Sequence, residues 1–405
     1  MSSPRLTLVV LTALYALNYM DRQVMAGVAE TMKRDLGLTD AQVGLLATLF
    51  LLCVAGFALP AAVVLDRSGK KRGIAVMAVA WSIATALTGT VSSFPPLAAT
   101  RAAVGVGEAG FSSGGTAIIG ASFPPESRGR VLGVFNMAVP LGAALGTILS
   151  GLIVAKTGSW RTPFFVFAVP GLVLALVLPM LGKEPPPAPA QPVGRSLGRL
   201  LRVPSLRLTY VAFAMNVFVS SALLQWMPAY FTRVYGLDAA SAGKRAGLIL
   251  LCALVGAPLG GFLGDRLLRV TPRGRPLSCA ITSVIAAVSL VIGLSTGPSS
   301  LSLAGFVGYG VFTVAYLAPG SAITQDVSPP ELRATAWGAC VLSMYLLGGA
   351  YSPAIVGKLS DAFGGDVGKA LLVAPVAGLV AAALFVLASR TYAADRAAVD
   401  AEVNS

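Results

Sequence analysis

The stretch Leu97-Ala-Ala-Thr-Arg101-Ala-Ala-Val-Gly-Val-Gly-Glu108-Ala-Gly-Phe-Ser-Ser-Gly-Gly-Thr-Ala-Ile-Ile-Gly-Ala121 decides how the rest of the chain is read. As a helix it is long enough to cross a hydrocarbon core of about 30 Å at about 1.5 Å per residue. Its two charges then lie inside the bilayer. Arg101 and Glu108 are nearly two turns apart, so they share a helix face about 10 Å apart along the axis, with bare backbone beside them at Gly105 and Gly107. Ionisable groups inside a membrane are costly and mark functional sites.

Composition supports the membrane reading. Hydrophobic residues make up 56% of the 405-residue chain and charged residues 12%, with a mean hydropathy of +0.79. Apolar runs of spanning length recur between short polar loops, twelve in all, and no water-soluble domain is left over. The net charge of +13 does not indicate nucleic acid, because the basic residues gather in alternate loops, which is the positive-inside pattern. The four cysteines, Cys53, Cys252, Cys279 and Cys340, stand singly in or beside apolar runs. They indicate neither a disulfide framework nor a metal site, and no cofactor is expected. Histidine is absent, so proton chemistry near neutral pH falls to carboxylates.

Spans 1 to 6 are read at about 6–28, 43–65, 73–91, 97–121, 131–155 and 162–181, with a polar outer loop from Glu30 to Gln42. The proline-rich run Lys183-Glu-Pro-Pro-Pro-Ala-Pro-Ala-Gln-Pro192 forbids a helix and reads as an extended tether. Beyond it Arg195, Arg199 and Arg202 share one helical face opposite Leu197, Leu200 and Leu201, which reads either as a short basic helix on an anionic membrane surface or as a solvated linker helix. Spans 7 to 12 follow at about 208–230, 246–263, 277–294, 301–324, 334–356 and 370–388. The domains are therefore 1–182, a linker at 183–206, and 207–405.

The second half repeats the first. Asp66-Arg67 after span 2 corresponds to Asp265-Arg266 after span 8, and Pro124-Pro-Glu-Ser-Arg128 corresponds to Pro329-Pro-Glu-Leu-Arg333; the members of each pair lie 199 and 205 residues apart by subtraction. Loops after even-numbered spans, together with the termini, carry about twice as many basic residues as the opposite side. Both termini are thus expected in the cytoplasm, and the chain in a bacterial inner membrane.

Two six-span repeats joined by a tether resemble the major facilitator superfamily. Asp66-Arg67-Ser68-Gly69-Lys70-Lys71 matches its loop signature, with Ala62 where the first glycine is expected, and Gly261-Phe-Leu-Gly-Asp265-Arg266 is a second copy lacking the compact basic tail. Ala138-Val-Pro140-Leu-Gly142-Ala-Ala-Leu-Gly146 is similar to the glycine and proline pattern of the superfamily's span 5. The resemblance implies an all-α membrane protein of two pseudo-symmetric six-helix halves. It implies a transporter rather than an enzyme, with Asp66, Arg67, Lys70, Lys71, Asp265 and Arg266 at a cytoplasmic gate. More narrowly, Asn18-Tyr-Met-Asp21-Arg22-Gln with Val104-Gly-Val-Gly-Glu108-Ala-Gly-Phe-Ser112 resembles the Spinster branch, whose members export lysophospholipids and sphingoid lipids. Related organic-anion symporters carry similar span 1 motifs.

With the amino terminus inside, Asp21 lies about 22 Å into span 1, level with Arg101, and Glu108 lies about 10 Å deeper. An Asp21–Arg101 contact is geometrically possible, and the proposed roles are Arg101 meeting an anionic head group and Glu108 carrying a proton. Arg22 faces either the cavity or the outer interface. Asn216, Gln225, Tyr309, Tyr316 and Tyr345 are candidate cavity-lining residues of the second half. A charged wall opposite an aromatic one suits an amphiphilic substrate moved with protons through a monomer embedded in membrane lipid. A small organic anion or drug is the alternative cargo, and a non-transporting sensor or scaffold the alternative class. No nucleophile-base pair, metal cluster or Walker lysine is present.

Overall fold

Without water, every backbone polar group in a bilayer must be satisfied within its own segment, which leaves helices as the economical answer for apolar runs. In the computed structural model, which describes residues 4–181 and 198–403, all regular elements are helical and no strand occurs among the described residues. Spans 1 to 3 are α1 (Pro4–Leu36), α2 (Asp40–Ser68) and α3 (Lys70–Thr88). Span 4 is divided into α4 (Phe94–Glu108) and α5 (Phe111–Ser122), span 5 into α6 (Pro125–Asn136) and α7 (Ala138–Thr157), and span 6 is α8 (Thr162–Val177). Span 7 is α9 (Pro204–Tyr235); span 8 comprises α10 (Ala239–Leu251) and α11 (Ala253–Val270). Span 9 is α12 (Gly274–Ser295), and span 10 comprises α13 (Ser300–Phe312) and α14 (Leu317–Asp326). Span 11 comprises α15 (Arg333–Ser343), a π-helical turn at Met344–Gly349 and α16 (Ser352–Ala362); α17 (Val367–Leu371) and α18 (Val373–Val403) form span 12.

Nine helical stretches among the described residues are long and apolar enough to cross a membrane. Those outside that set carry polar or broken sequence: Asn18, Asp21, Arg22 and Gln23 in α1, Lys70-Lys71-Arg72 at the head of α3, and the interruption at Ala109–Gly110 in span 4. The expected outer loop is much shorter than its sequence suggested. No glycine or proline lies between Gly27 and Gly37, so α1 continues through Glu30 and Lys33 until Gly37 turns it with φ +62°. Thr39 then opens α2 with a capping box: its hydroxyl accepts from Gln42 N at 3.2 Å, and its own N–H donates to Gln42 Oε1 at 2.9 Å.

The chain divides into two compact units. Met1–Pro189 and Gln225–Leu250 form the first, Ala190–Leu224 and Leu251–Ser405 the second. In the first, α1 and α7 pack backbone to backbone. A Cβ on Gly142 would lie 2.3 Å from the Ala16 carbonyl oxygen, and one on Gly146 would lie 2.7 Å from Met20 Cα. Below them Tyr15 stacks on Phe135 at 4.6 Å, and Phe111 meets Trp81 edge-on at 5.5 Å. In the second unit Phe213 centres the core, 4.9 Å from Tyr316 and 6.0 Å from Phe385. Asp395 accepts from Ser205 N at 3.0 Å at the start of α9. The Arg275 guanidinium and the Tyr392 hydroxyl both donate to Asp326.

Candidate functional site

The paired glycines of the opening stretch bring three helices together. A Cβ on Gly105 would lie 2.6 Å from the Phe50 carbonyl oxygen of α2, and one on Gly107 would lie 2.9 Å from Trp81 Cβ of α3. Between them α4 carries Arg101 to the Phe50 ring, with Cζ 5.3 Å from the centroid, and stops at Glu108.

The ion pair formed at this site is Arg22–Glu108, not the Asp21–Arg101 contact that depth alone allows. Glu108, its side chain fully buried, accepts from Arg22 Nε at 2.8 Å; the Arg22 side chain is 12% exposed. Arg22 therefore faces inward, its guanidinium 4.6 Å from the Tyr19 ring and 5.5 Å from that of Phe50. Asp21 lies in the field of Glu108 and Arg101, facing Trp81 and Thr85, without an Arg101 ion pair within 4 Å. Asp21 and Arg101 are each 1% exposed. Asp21 Oδ1, both amide atoms of Asn18, Glu108 Oε1, and Nε and Nη1 of Arg101 have no hydrogen-bond partner among the described residues. A buried polar group left unmatched costs on the order of 1–3 kcal/mol, more when charged. Arg101 thus presents two uncommitted donors beside two carboxylates.

The other sequence-predicted residues are more dispersed. Asp66 and Arg67 lie on the last turn of α2, and their side chains fall outside the described residues. Lys70 opens α3, and the buried Lys71 ammonium donates to the Leu181 carbonyl oxygen, fastening α3 to the end of span 6. Arg266 is exposed, as is Asp265, which lies 4.0 Å from Arg275. Asn216 Nδ2 donates to Ser283 Oγ at 3.1 Å, and Gln225 is buried with Nε2 unmatched among the described residues. Tyr309 and Tyr316 are each 3% exposed in the packed interior, while Tyr345 is half-buried in the π-helical turn. Arg195 of the basic linker lies outside the described residues.

Sequence reading missed a second charged cluster. Arg233 of α9 donates to Glu30 Oε1 from Nε at 3.0 Å and Nη2 at 2.6 Å, and to Asp40 from Nη1 at 2.6 Å and Nη2 at 2.7 Å. Lys33 Nζ donates to the same Asp40 at 2.5 Å. Nearby on α1, Asp35 accepts from Trp160 Nε1 at 2.8 Å and Arg161 Nη1 at 2.6 Å, bonds that hold its carboxyl below the usual carboxylate range. Four charges near the ends of three helices were the available signal, but Arg233 is 193 and 203 residues from its acidic partners.

Helices throughout the described residues, nine stretches of them long and apolar enough to cross a bilayer, define a multi-pass membrane protein. The chain belongs to the Major Facilitator Superfamily, whose profile matches residues 11–353. It is 32% identical over 400 residues to an MFS-type efflux pump of Mycolicibacterium smegmatis, spanning 95% of this chain and 92% of that one. It is 30% identical over 381 residues to Protein spinster homolog 1 of Xenopus tropicalis, 87% of this chain and 72% of the relative. The crystal structure of a bacterial homolog to the human lysosomal transporter Spinster, inward-facing and unoccupied, superposes with a TM-score of 0.83. The identity is 25%, over 97% of this chain and 98% of that one. The Spinster resemblance thus holds along nearly the whole sequence.

Proposed function

We propose that the protein is a proton-coupled secondary transporter of an amphiphilic, lipid-like substrate with an anionic head group. One observation carries this reading: Arg101 is 1% exposed, yet its Nε and Nη1 lack acceptors among the described residues. A phosphate or carboxylate would supply them in charge-assisted bonds. Glu108, held by Arg22, is the proposed proton carrier, because protonation removes the charge that Arg22 grips. The similarity to Spinster proteins supports a lipid-like cargo. Two six-span halves, 1–182 and 207–405, rocking about a midplane site in a monomer, fit a superfamily built on repeats. A small organic anion is the second reading, favoured by the efflux pump resemblance.

Thermal stabilisation of the purified protein separates the two cargoes. Lysolipids are expected to raise the melting temperature and sugar acids to leave it unchanged, and Arg101→Gln should abolish the lysolipid shift. The reverse ligand ranking would sink the lipid reading. In proteoliposomes, Glu108→Gln is expected to remove the pH dependence of transport; an unaltered dependence would exclude Glu108 from coupling.

A further inference from the structure

The second compact unit carries an apolar groove of about 500 Å³ that the charged site does not use. Phe218 of α9 lies on its floor, Leu347, Tyr351 and Ile355 of span 11 form one wall, and Val376 and Val380 of α18 form the other. Small residues give it this form. Behind the groove span 11 reaches α9 through glycines: a Cβ on Gly348 would lie 1.9 Å from the Ala214 carbonyl oxygen, and one on Gly349 would lie 2.9 Å from Val217 Cγ1. The same π-helical turn leaves Leu347 exposed at the front, and Ala377 adds little bulk on the α18 wall. Tyr351, Ile355, Val376 and Val380 are exposed as well, so the groove opens sideways from the unit.

Length and charge together fit one occupant. From Leu347 to Ile355 the wall runs about 12 Å at about 1.5 Å per residue, close to the roughly 15 Å of hydrocarbon in one leaflet. It then leads to a cation. Lys358 follows Ile355 by one turn and Tyr351 by two, so it continues the groove's face of α16 toward the helix end at Ala362. Lys358 is exposed and forms no ion pair within 4 Å among the described residues. The acidic residues of the same connection do not answer it on that face. Asp366 is taken up by Lys369, whose Nζ lies 3.0 Å from Oδ2 and whose backbone N–H donates to Oδ1 at 3.0 Å. Asp361 is turned about 120° from Ile355 around α16. A cation at the mouth of an apolar groove, near a helix end where lipid phosphates lie, complements an anionic head group above an acyl chain.

We infer that the groove between spans 11 and 12 is a peripheral site for an anionic glycerophospholipid of the leaflet on the Gly364 side, its acyl chain laid from Ile355 to Leu347 over Phe218 and its phosphate on Lys358. The site shares no residue with the Arg101 cluster and does not depend on the cargo. The full chain in mild detergent is titrated with phosphatidylglycerol or with phosphatidylcholine of identical chains, and native mass spectrometry counts the adducts. One phosphatidylglycerol is expected to be retained, favoured about fivefold over phosphatidylcholine, which is what one lysine at a membrane surface supplies. Lys358→Gln should remove that preference, and Lys244→Gln, at an exposed lysine of α10 outside the groove, should keep it. Ala377→Trp, which fills the groove, should cut both adducts at least fivefold. Arg101→Gln should leave them unchanged, which separates this lipid from the proposed cargo. Equal retention of the two lipids by the unaltered chain, a preference that survives Lys358→Gln or falls equally with Lys244→Gln, loss of the adduct in Arg101→Gln, or a dimer in place of the adduct would each overturn the site. So would full retention by Ala377→Trp; if that variant fails to assemble, the exposed Lys358→Gln change decides.

Discussion

Arg22 and Arg101 both lie over the Phe50 ring, yet only Arg22 has a carboxylate in its grip. Removing it isolates Glu108 in a dry site, and breaking a buried pair from one side costs about 3–5 kcal/mol. Arg22→Met should therefore lower the melting temperature in detergent markedly. Arg22→Met with Glu108→Gln should recover most of the loss, and failure to recover would mean that Arg22 contributes packing rather than charge. Asp35 offers a pH test outside the bilayer. Its bonds to Trp160 and Arg161 hold its carboxyl below the usual range, so they stabilise the fold at neutral pH and are lost as acidification passes through that lowered value. Tryptophan emission should show an acid transition below about pH 4 that disappears in Asp35→Asn. At this scale sequence reading finds Asp21, Arg101 and Glu108, because a charge in an apolar run has few innocent explanations. It does not find which arginine takes Glu108. Asp21 and Arg22 are adjacent, and their rotation about α1 is fixed by Gly142 and Gly146 of another helix.

Whole helices show the same division between local and distant causes. The glycines of α4 were legible as small surfaces, and they are where α2 and α3 come closest. A side chain at Gly105 would strike the Phe50 carbonyl oxygen at 2.6 Å and Cys53 Cβ at 2.9 Å. Gly105→Ala should push α4 from α2, costing about 1–3 kcal/mol by overpacking, and should disturb the Arg101–Phe50 contact. Gly120 of α5 has nothing within 4 Å of its Cβ position. Gly120→Ala should be neutral or stabilise by about 0.5–1 kcal/mol through helix propensity. Melting temperatures of the two variants in one detergent test the contrast; equal losses would mean that α4 can shift freely. The π-helical turn at Met344–Gly349 was not legible. Gly348 lies where a Cβ would meet the Ala214 carbonyl oxygen at 1.9 Å, so a distant helix dictates the local backbone. The persistence of α1 to Leu36 was available in principle, since Glu30-Thr-Met-Lys-Arg-Asp-Leu36 contains no helix breaker. Charge alone made it look like a loop.

Across the whole molecule, the class and the internal repeat were the most legible features, because hydropathy and duplicated loop motifs are summed over hundreds of residues and survive errors at any one of them. Sidedness rests on the same kind of sum. Connections after odd-numbered spans are short, and five of them turn on a glycine of positive φ: Gly37, Gly158, Gly236, Gly297 and Gly364. Connections after even-numbered spans carry the basic clusters, Lys70-Lys71-Arg72 foremost. Basic residues in short loops resist translocation, so the even-numbered connections and both termini should remain in the cytoplasm. Alkaline phosphatase fused after Gly158 should be active and the same enzyme fused after Arg72 inactive. A fluorescent protein at the carboxyl terminus should mature, since it folds only inside. Inverted activities would reverse the assigned sides, and the Arg233 cluster would then face the cytoplasm. The expected pattern puts that cluster outside, at the face opposite Lys71, so that charges near the two ends of α2 and α3 confront different aqueous compartments.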